Sequence, residues 1–136
     1  MDEATARAYV ERNHGGVLAT LKRDGRPQLS NVSYYVDDNG LIKISVTTDR
    51  AKTRNLRRDS RVSLSCLDPA NWYSYVVVEG QAEFIEGPDA LPELRRYYRG
   101  VRGEDHPDWD EYDCAMVAEG RVVLVIRPSR FYGMVR

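Results

Sequence analysis

Between Val17 and Thr47, three runs of strand-forming residues are separated by two short glycine turns, Asp24-Gly25 and Asp38-Asn39-Gly40. Turns this tight join antiparallel neighbours and leave no room for a crossover helix. The runs are Val17–Lys22, Pro27–Val36 and Leu41–Thr47. The last places Ile42, Ile44 and Val46 on one face, as a half-buried strand does. An antiparallel meander is therefore expected.

The flanking segments extend it. Asp2–Asn13 reads as a short helix packed through Ala4, Ala8 and Val10, and His14-Gly15-Gly16 breaks it. Asp49 is placed to cap a helix over Arg50–Arg58. Arg61–Leu67 alternates as a strand, and Asp68-Pro69-Ala70-Asn71 reads as a loop. A long strand over Tyr73–Ile85 follows, with Gly80 marking a bulge or bend. Gly87-Pro88-Asp89 opens a helix with Leu91, Leu94, Tyr97, Tyr98 and Val101 at helical spacing. Pro107 opens another, carrying Trp109, Tyr112 and Met116. Arg121–Arg127 is the last expected strand, and Phe131-Tyr132-Gly133-Met134 a closing tail. About six antiparallel strands with short helices predict one mainly β domain, residues 1–136, built as a small barrel. A dinucleotide-binding parallel sheet is excluded by this order and by the lack of GxGxxG.

Much familiar chemistry is missing. Two histidines, His14 and His106, and two distant cysteines, Cys66 and Cys114, match no zinc spacing. There is no P-loop and no GxSxG elbow. A formal net charge of −1 argues against a nucleic-acid partner. No apolar run is long enough to span a membrane, and no signal-like stretch follows Met1; a cytoplasmic, reduced protein is expected. If this is an enzyme, a cofactor must carry the chemistry.

Three segments suggest where. In Thr47-Thr48-Asp49-Arg50-Ala51-Lys52-Thr53-Arg54-Asn55-Leu56-Arg57-Arg58, a strand end meets a helix start among five cations. Free N–H groups and the positive helix end suit a phosphate, with Arg50 and Lys52 adding charge-assisted bonds. Arg54, Arg57 and Arg58 lie within reach of a longer anionic tail. On charge alone, a solvated basic helix is the simpler account. Ser30 and Asn31 interrupt strand alternation and suit a polar groove or the wet face of an edge strand. Trp72, Tyr73 and Tyr75 suit stacking on a planar ring or filling a dimer interface.

Val17-Leu18-Ala19-Thr20-Leu21, Asp24-Gly25-Arg26-Pro27-Gln28-Leu29-Ser30, Arg50-Ala51-Lys52-Thr53-Arg54-Asn55-Leu56 and Arg61-Val62-Ser63-Leu64 together resemble the pyridoxamine 5′-phosphate oxidase-like superfamily. More narrowly they resemble its F420-dependent branch in actinobacteria, the B group of flavin/deazaflavin oxidoreductases. The resemblance covers most of the chain, including Asp108-Trp109-Asp110 and Tyr132-Gly133. It implies a split β-barrel, like that of FMN-binding proteins, forming a homodimer with the cofactor at the interface. It implies that Arg50, Lys52 and Asn55 hold the cofactor phosphate, with Thr47 and Thr48 near it. Ser30, Asn31 and Val32 would flank a deazaflavin ring, and Trp72, Tyr73 and Tyr75 would arrive from the second subunit. The C-terminal residues that such oxidases use for their substrate phosphate have no counterpart after Tyr132-Gly133, which argues against that activity.

The expected activity is hydride transfer between reduced F420 and a conjugated small-molecule acceptor. No catalytic acid stands out; Tyr34, Tyr75 or solvent would deliver the proton. The alternatives are an FMN-binding oxidoreductase of the same fold, an F420-dependent biliverdin reductase and a non-enzymatic cofactor-binding protein.

Overall fold

The computed structural model describes all 136 residues. Helix α1, Glu3–Arg12, starts where the Asp2 carboxylate accepts the Thr5 N–H at 2.8 Å. It buries Ala6, Tyr9 and Val10 rather than the expected Ala4 and Ala8, which are exposed. Tyr9 decides the face, because its hydroxyl donates to the Ser74 carbonyl at 3.1 Å inside the protein.

Seven strands follow: β1 Gly15–Leu21, β2 Pro27–Ser33, β3 Tyr35–Val36, β4 Ile42–Thr47, β5 Arg61–Asp68, β6 Asn71–Ile85 and β7 Arg121–Met134. They form one antiparallel sheet in the order β2-β1-β5-β6-β7-β4-β3. The expected single strand 27–36 is split at Tyr34. Its first part pairs with β1 and its last two residues pair with β4, so the sheet curls until its two edges meet. The architecture is a split β-barrel. Tyr34 marks the switch: its N–H donates to the His14 carbonyl, its hydroxyl to the Val10 carbonyl, and its ring is fully buried.

Three further expectations are corrected. The glycines after His14 do not end α1, which stops at Arg12; they open β1, where a Cβ on Gly16 would lie 2.4 Å from the Ser65 carbonyl oxygen. The loop before β6 shrinks to Pro69 and Ala70, so Asn71 and Trp72 join the strand expected from Tyr73. Phe131–Met134 is strand rather than tail, since β7 stays paired with β6 as far as Met134 opposite Tyr75. The bulge expected at Gly80 is present, and a Cβ there would sit 2.2 Å from the Arg127 carbonyl oxygen.

The main core fills the barrel, with Leu18, Tyr34, Ile44, Leu64, Val76 and Leu124 among its buried side chains. A second apolar cluster lies where α3 (Ala90–Arg102) and α4 (Trp109–Glu119) pack on the barrel. Asp108, not Pro107, caps α4 by accepting the Glu111 N–H. Lys43 fastens α3 to β4: it is buried between Asp37 and Glu93, each 3.2 Å away. No helix is long and apolar enough to cross a membrane.

Candidate functional site

The remaining helix, α2 (Ala51–Arg58), starts directly after β4. Asp49 does not cap it. Arg50 occupies the cap position in an extended conformation, no side chain satisfies the first turn, and that turn holds no acidic residue. Its N–H groups therefore stay open to an anion. Two hydrogen bonds fix the approach: Thr53 Oγ1 donates to the Thr47 carbonyl at 2.6 Å, and the Thr48 N–H donates to the Gly120 carbonyl at 3.1 Å.

Lys52 is half-buried here, and its pKa lies below the ordinary lysine value. Burial is the largest cause, followed by the guanidinium groups of Arg50 and Arg121. Three cations thus converge on one turn. Thr47 Oγ1 and Ser30 Oγ are the two buried side-chain polar atoms without a hydrogen-bond partner. A buried hydroxyl left unpaired costs free energy unless a ligand or water satisfies it. The donor set, the open helix turn and the orphaned Thr47 hydroxyl fit a phosphate-bearing cofactor.

Six cations without a carboxylate within 4.0 Å, Lys22, Arg23, Arg50, Lys52, Arg54 and Arg58, come from α2 and the β1–β2 turn. Only Arg12, Arg102 and Arg136 otherwise lack one among the twenty lysines and arginines. Lys22, Arg23, Arg54 and Arg58 line one open cleft with Ala51, Asn55 and Asp24, whose carboxylate Arg26 engages at 3.1 Å. Arg57 leaves this group: it pairs with Glu86 and stacks on Phe84, 4.4 Å from the ring centroid.

Other expected residues fall in different places. Asn55 is buried and faces inward, its Nδ2 donating to Thr20 Oγ1 at 3.1 Å while its Oδ1 accepts from Arg58 at 3.1 Å. It ties α2 to β1. Along β2, Ser30 and Val32 turn inward and Val32 packs on the core, whereas Asn31 is exposed on the outer face. Trp72 and Tyr73 are 85% and 68% exposed. With Tyr75 they lie at the Gly15 end of β1, since Leu67 pairs with both Gly15 and Tyr75; Asn55 binds near the other end. One chain does not bring these aromatics to α2. Tyr34 is not a proton donor to any site: its hydroxyl is spent on Val10, and burial raises its pKa far above the ordinary phenol.

Arg121, Lys22 and Arg23 escape sequence reasoning. Arg121 stands far from Lys52 in the chain, and its charge bears on Lys52 only because β7 pairs with β4, Thr47 opposite Arg121. Lys22 and Arg23 were legible as cations, but their position beside Asp24-Gly25 assigns them to a turn.

Residues 2–134 match the family model described as pyridoxamine 5′-phosphate oxidase. Among solved structures, the conserved hypothetical protein Rv2991 from Mycobacterium tuberculosis is 30% identical with a TM-score of 0.77, over 98% of this chain and 84% of that one. A structure named F420 reductase is 30% identical with a TM-score of 0.66, over 93% of this chain and 94% of that one. A heme binding protein from Mycobacterium smegmatis shares the fold at 23% identity and a TM-score of 0.67, over 98% of this chain and 55% of that one.

Proposed function

Because the chain belongs to the pyridoxamine 5′-phosphate oxidase family, we propose that it is an oxidoreductase that binds the deazaflavin F420 and reduces a conjugated small molecule. The observation that carries the choice of cofactor is the strip of unneutralised cations. FMN ends in a phosphate, for which Arg50, Lys52 and the open turn of α2 suffice. It leaves Lys22, Arg23, Arg54 and Arg58 without an anionic partner from the ligand, whereas the longer anionic tail of F420 would reach their cleft, in which Asp24 is the one carboxylate. The 30% identical F420 reductase supports the same choice.

In this reading the phosphate lies on the first turn of α2, with Arg50, Lys52 and Arg121 neutralising it and Thr47 Oγ1 gaining a partner. Reduced F420, when bound, supplies the hydride. The chain's own residues orient it: Thr53 and Asn55 hold α2 against β4 and β1, and Asn31 offers an exposed polar group on the outer face of β2, whereas Ser30 faces inward. Trp72, Tyr73 and Tyr75 complete the site from a second copy. The outer faces of β1 and β5 carry small or half-buried residues, Val17, Ala19, Ser63, Ser65 and Leu67, that suit such a partner.

The test is turnover. Purified protein, reduced F420 and a panel of conjugated acceptors are followed by the cofactor's visible absorbance. Reoxidation that depends on both protein and acceptor, and is lost in Lys52→Ala, is expected. Binding of F420 without turnover on any acceptor would instead make this a cofactor-binding protein.

A further inference from the structure

Beside the anion site, beneath α3 and α4, lies a second cavity of about 320 Å3. This is within the range of small-molecule sites, roughly 300–1,000 Å3. It neighbours the start of α2 through β4 and β7, although no residue of that turn lines it. Ser45 lines it two residues before Thr47 on the same face of β4, and Arg121, whose charge reaches Lys52, lines it too. Its walls are of two kinds. Tyr98, Val101, Tyr112 and Met116 supply an apolar surface. Arg102, Arg121, Tyr97, Ser33 and Ser45 supply its polar lining. Arg121 is engaged by Glu119 at 3.1 Å and by the Ser45 carbonyl at 3.5 Å. Arg102 has no carboxylate within 4.0 Å and lies 5.5 Å from the Tyr98 ring centroid. The Tyr97 hydroxyl donates to the Ser33 carbonyl at 3.0 Å, which holds the ring in place. Burial raises the Tyr97 phenol, while Arg121 and Arg102 act on it in the opposite sense, so both cations bear on the same point.

We propose that this cavity binds a planar, conjugated carboxylate, its ring system against Tyr98, Val101 and Met116 and its carboxylate on Arg102. A neutral apolar molecule gains nothing from the exposed Arg102, which has no carboxylate partner, and a small hydrophilic anion leaves the apolar wall empty. The cavity's occupant is the hydride acceptor; that last step rests on the F420 reading, whereas the binding class does not.

The test uses 2-naphthoate as the probe, titrated by calorimetry into the whole protein, with 2-naphthalenemethanol as the uncharged comparison. Naphthoate is expected to bind at least tenfold more tightly than the alcohol. Arg102→Gln should remove that preference, and Met116→Trp, which fills the cavity, should abolish binding of both. Arg102→Gln is expected to leave F420 affinity unchanged. Absence of naphthoate binding, equal binding of the two probes, or unimpaired binding to Met116→Trp would overturn the proposal. Exclusion of naphthoate by saturating F420 would overturn it too, by giving the cavity to the cofactor. Arg102-dependent naphthoate binding in a protein that ignores F420 would uphold the binding class and remove the F420 reading.

Discussion

The hydroxyl of Thr53 donates to the carbonyl of Thr47 across 2.6 Å, and so pins the first turn of α2 to the strand that delivers it. Both residues are buried. Replacing Thr53 by valine keeps the shape but removes the donor, leaving the Thr47 carbonyl only the longer 3.4 Å bond from the Arg50 N–H. A stability loss of about 1–2 kcal/mol follows from a buried bond of this kind, readable by urea denaturation. Cofactor affinity should fall with it, because the open N–H groups lose their fixed position.

Lys52 supplies the sharpest electrostatic prediction. Lys52→Ala removes a charge-assisted contact of about 1.5–3 kcal/mol, so F420 and FMN should both bind roughly ten- to a hundredfold more weakly.

The same residue sets a pH dependence. Burial, then Arg50 and Arg121, hold the Lys52 pKa below that of a free lysine. Below this lowered pKa the ammonium is already formed and binds the phosphate at full strength. As pH rises through it, the ligand must bind and protonate the site together, so affinity falls. Titrations across the alkaline range should show the decline in wild type and a flatter profile in Lys52→Arg.

Gly80 tests the barrel itself. A Cβ at this position meets the Arg127 backbone 2.2 Å away, with no flexible side chain to yield. Gly80→Ala should cost about 1–3 kcal/mol, the usual range for overpacking, and lower the thermal midpoint accordingly.

The two cysteines should separate cleanly. Cys66 is buried, and burial pushes its thiol up to about 12; Cys114 is exposed. A thiol reagent at neutral pH should modify Cys114 in the native protein and reach Cys66 only after denaturation.

The legible parts of the fold were those decided locally. Asp24-Gly25 and Asp38-Asn39-Gly40 announce their hairpins, Gly80 its bulge, and the residues after Thr47 a helix start. What stayed hidden depends on distant partners. Nothing near Tyr34 says that its hydroxyl will find Val10 and divide one strand into two. Trp72 looked like loop because Pro69 interrupts the pattern, yet two residues suffice for the turn. Within the site, Arg54 and Arg57 look alike in sequence. Only the fold sends Arg57 to Glu86 and leaves Arg54 facing the cleft beside Lys22 and Arg23.

The central claim is that this site takes F420 through its phosphate and its anionic tail. The direct measurement is a side-by-side fluorescence titration with F420 and FMN, on wild type and on a variant carrying Lys22→Ala, Arg23→Ala, Arg54→Ala and Arg58→Ala. The account predicts micromolar or tighter binding of F420 with FMN much weaker, and a variant in which that difference collapses. Tight FMN binding with none to F420, or an F420 affinity untouched by the four substitutions, would contradict it.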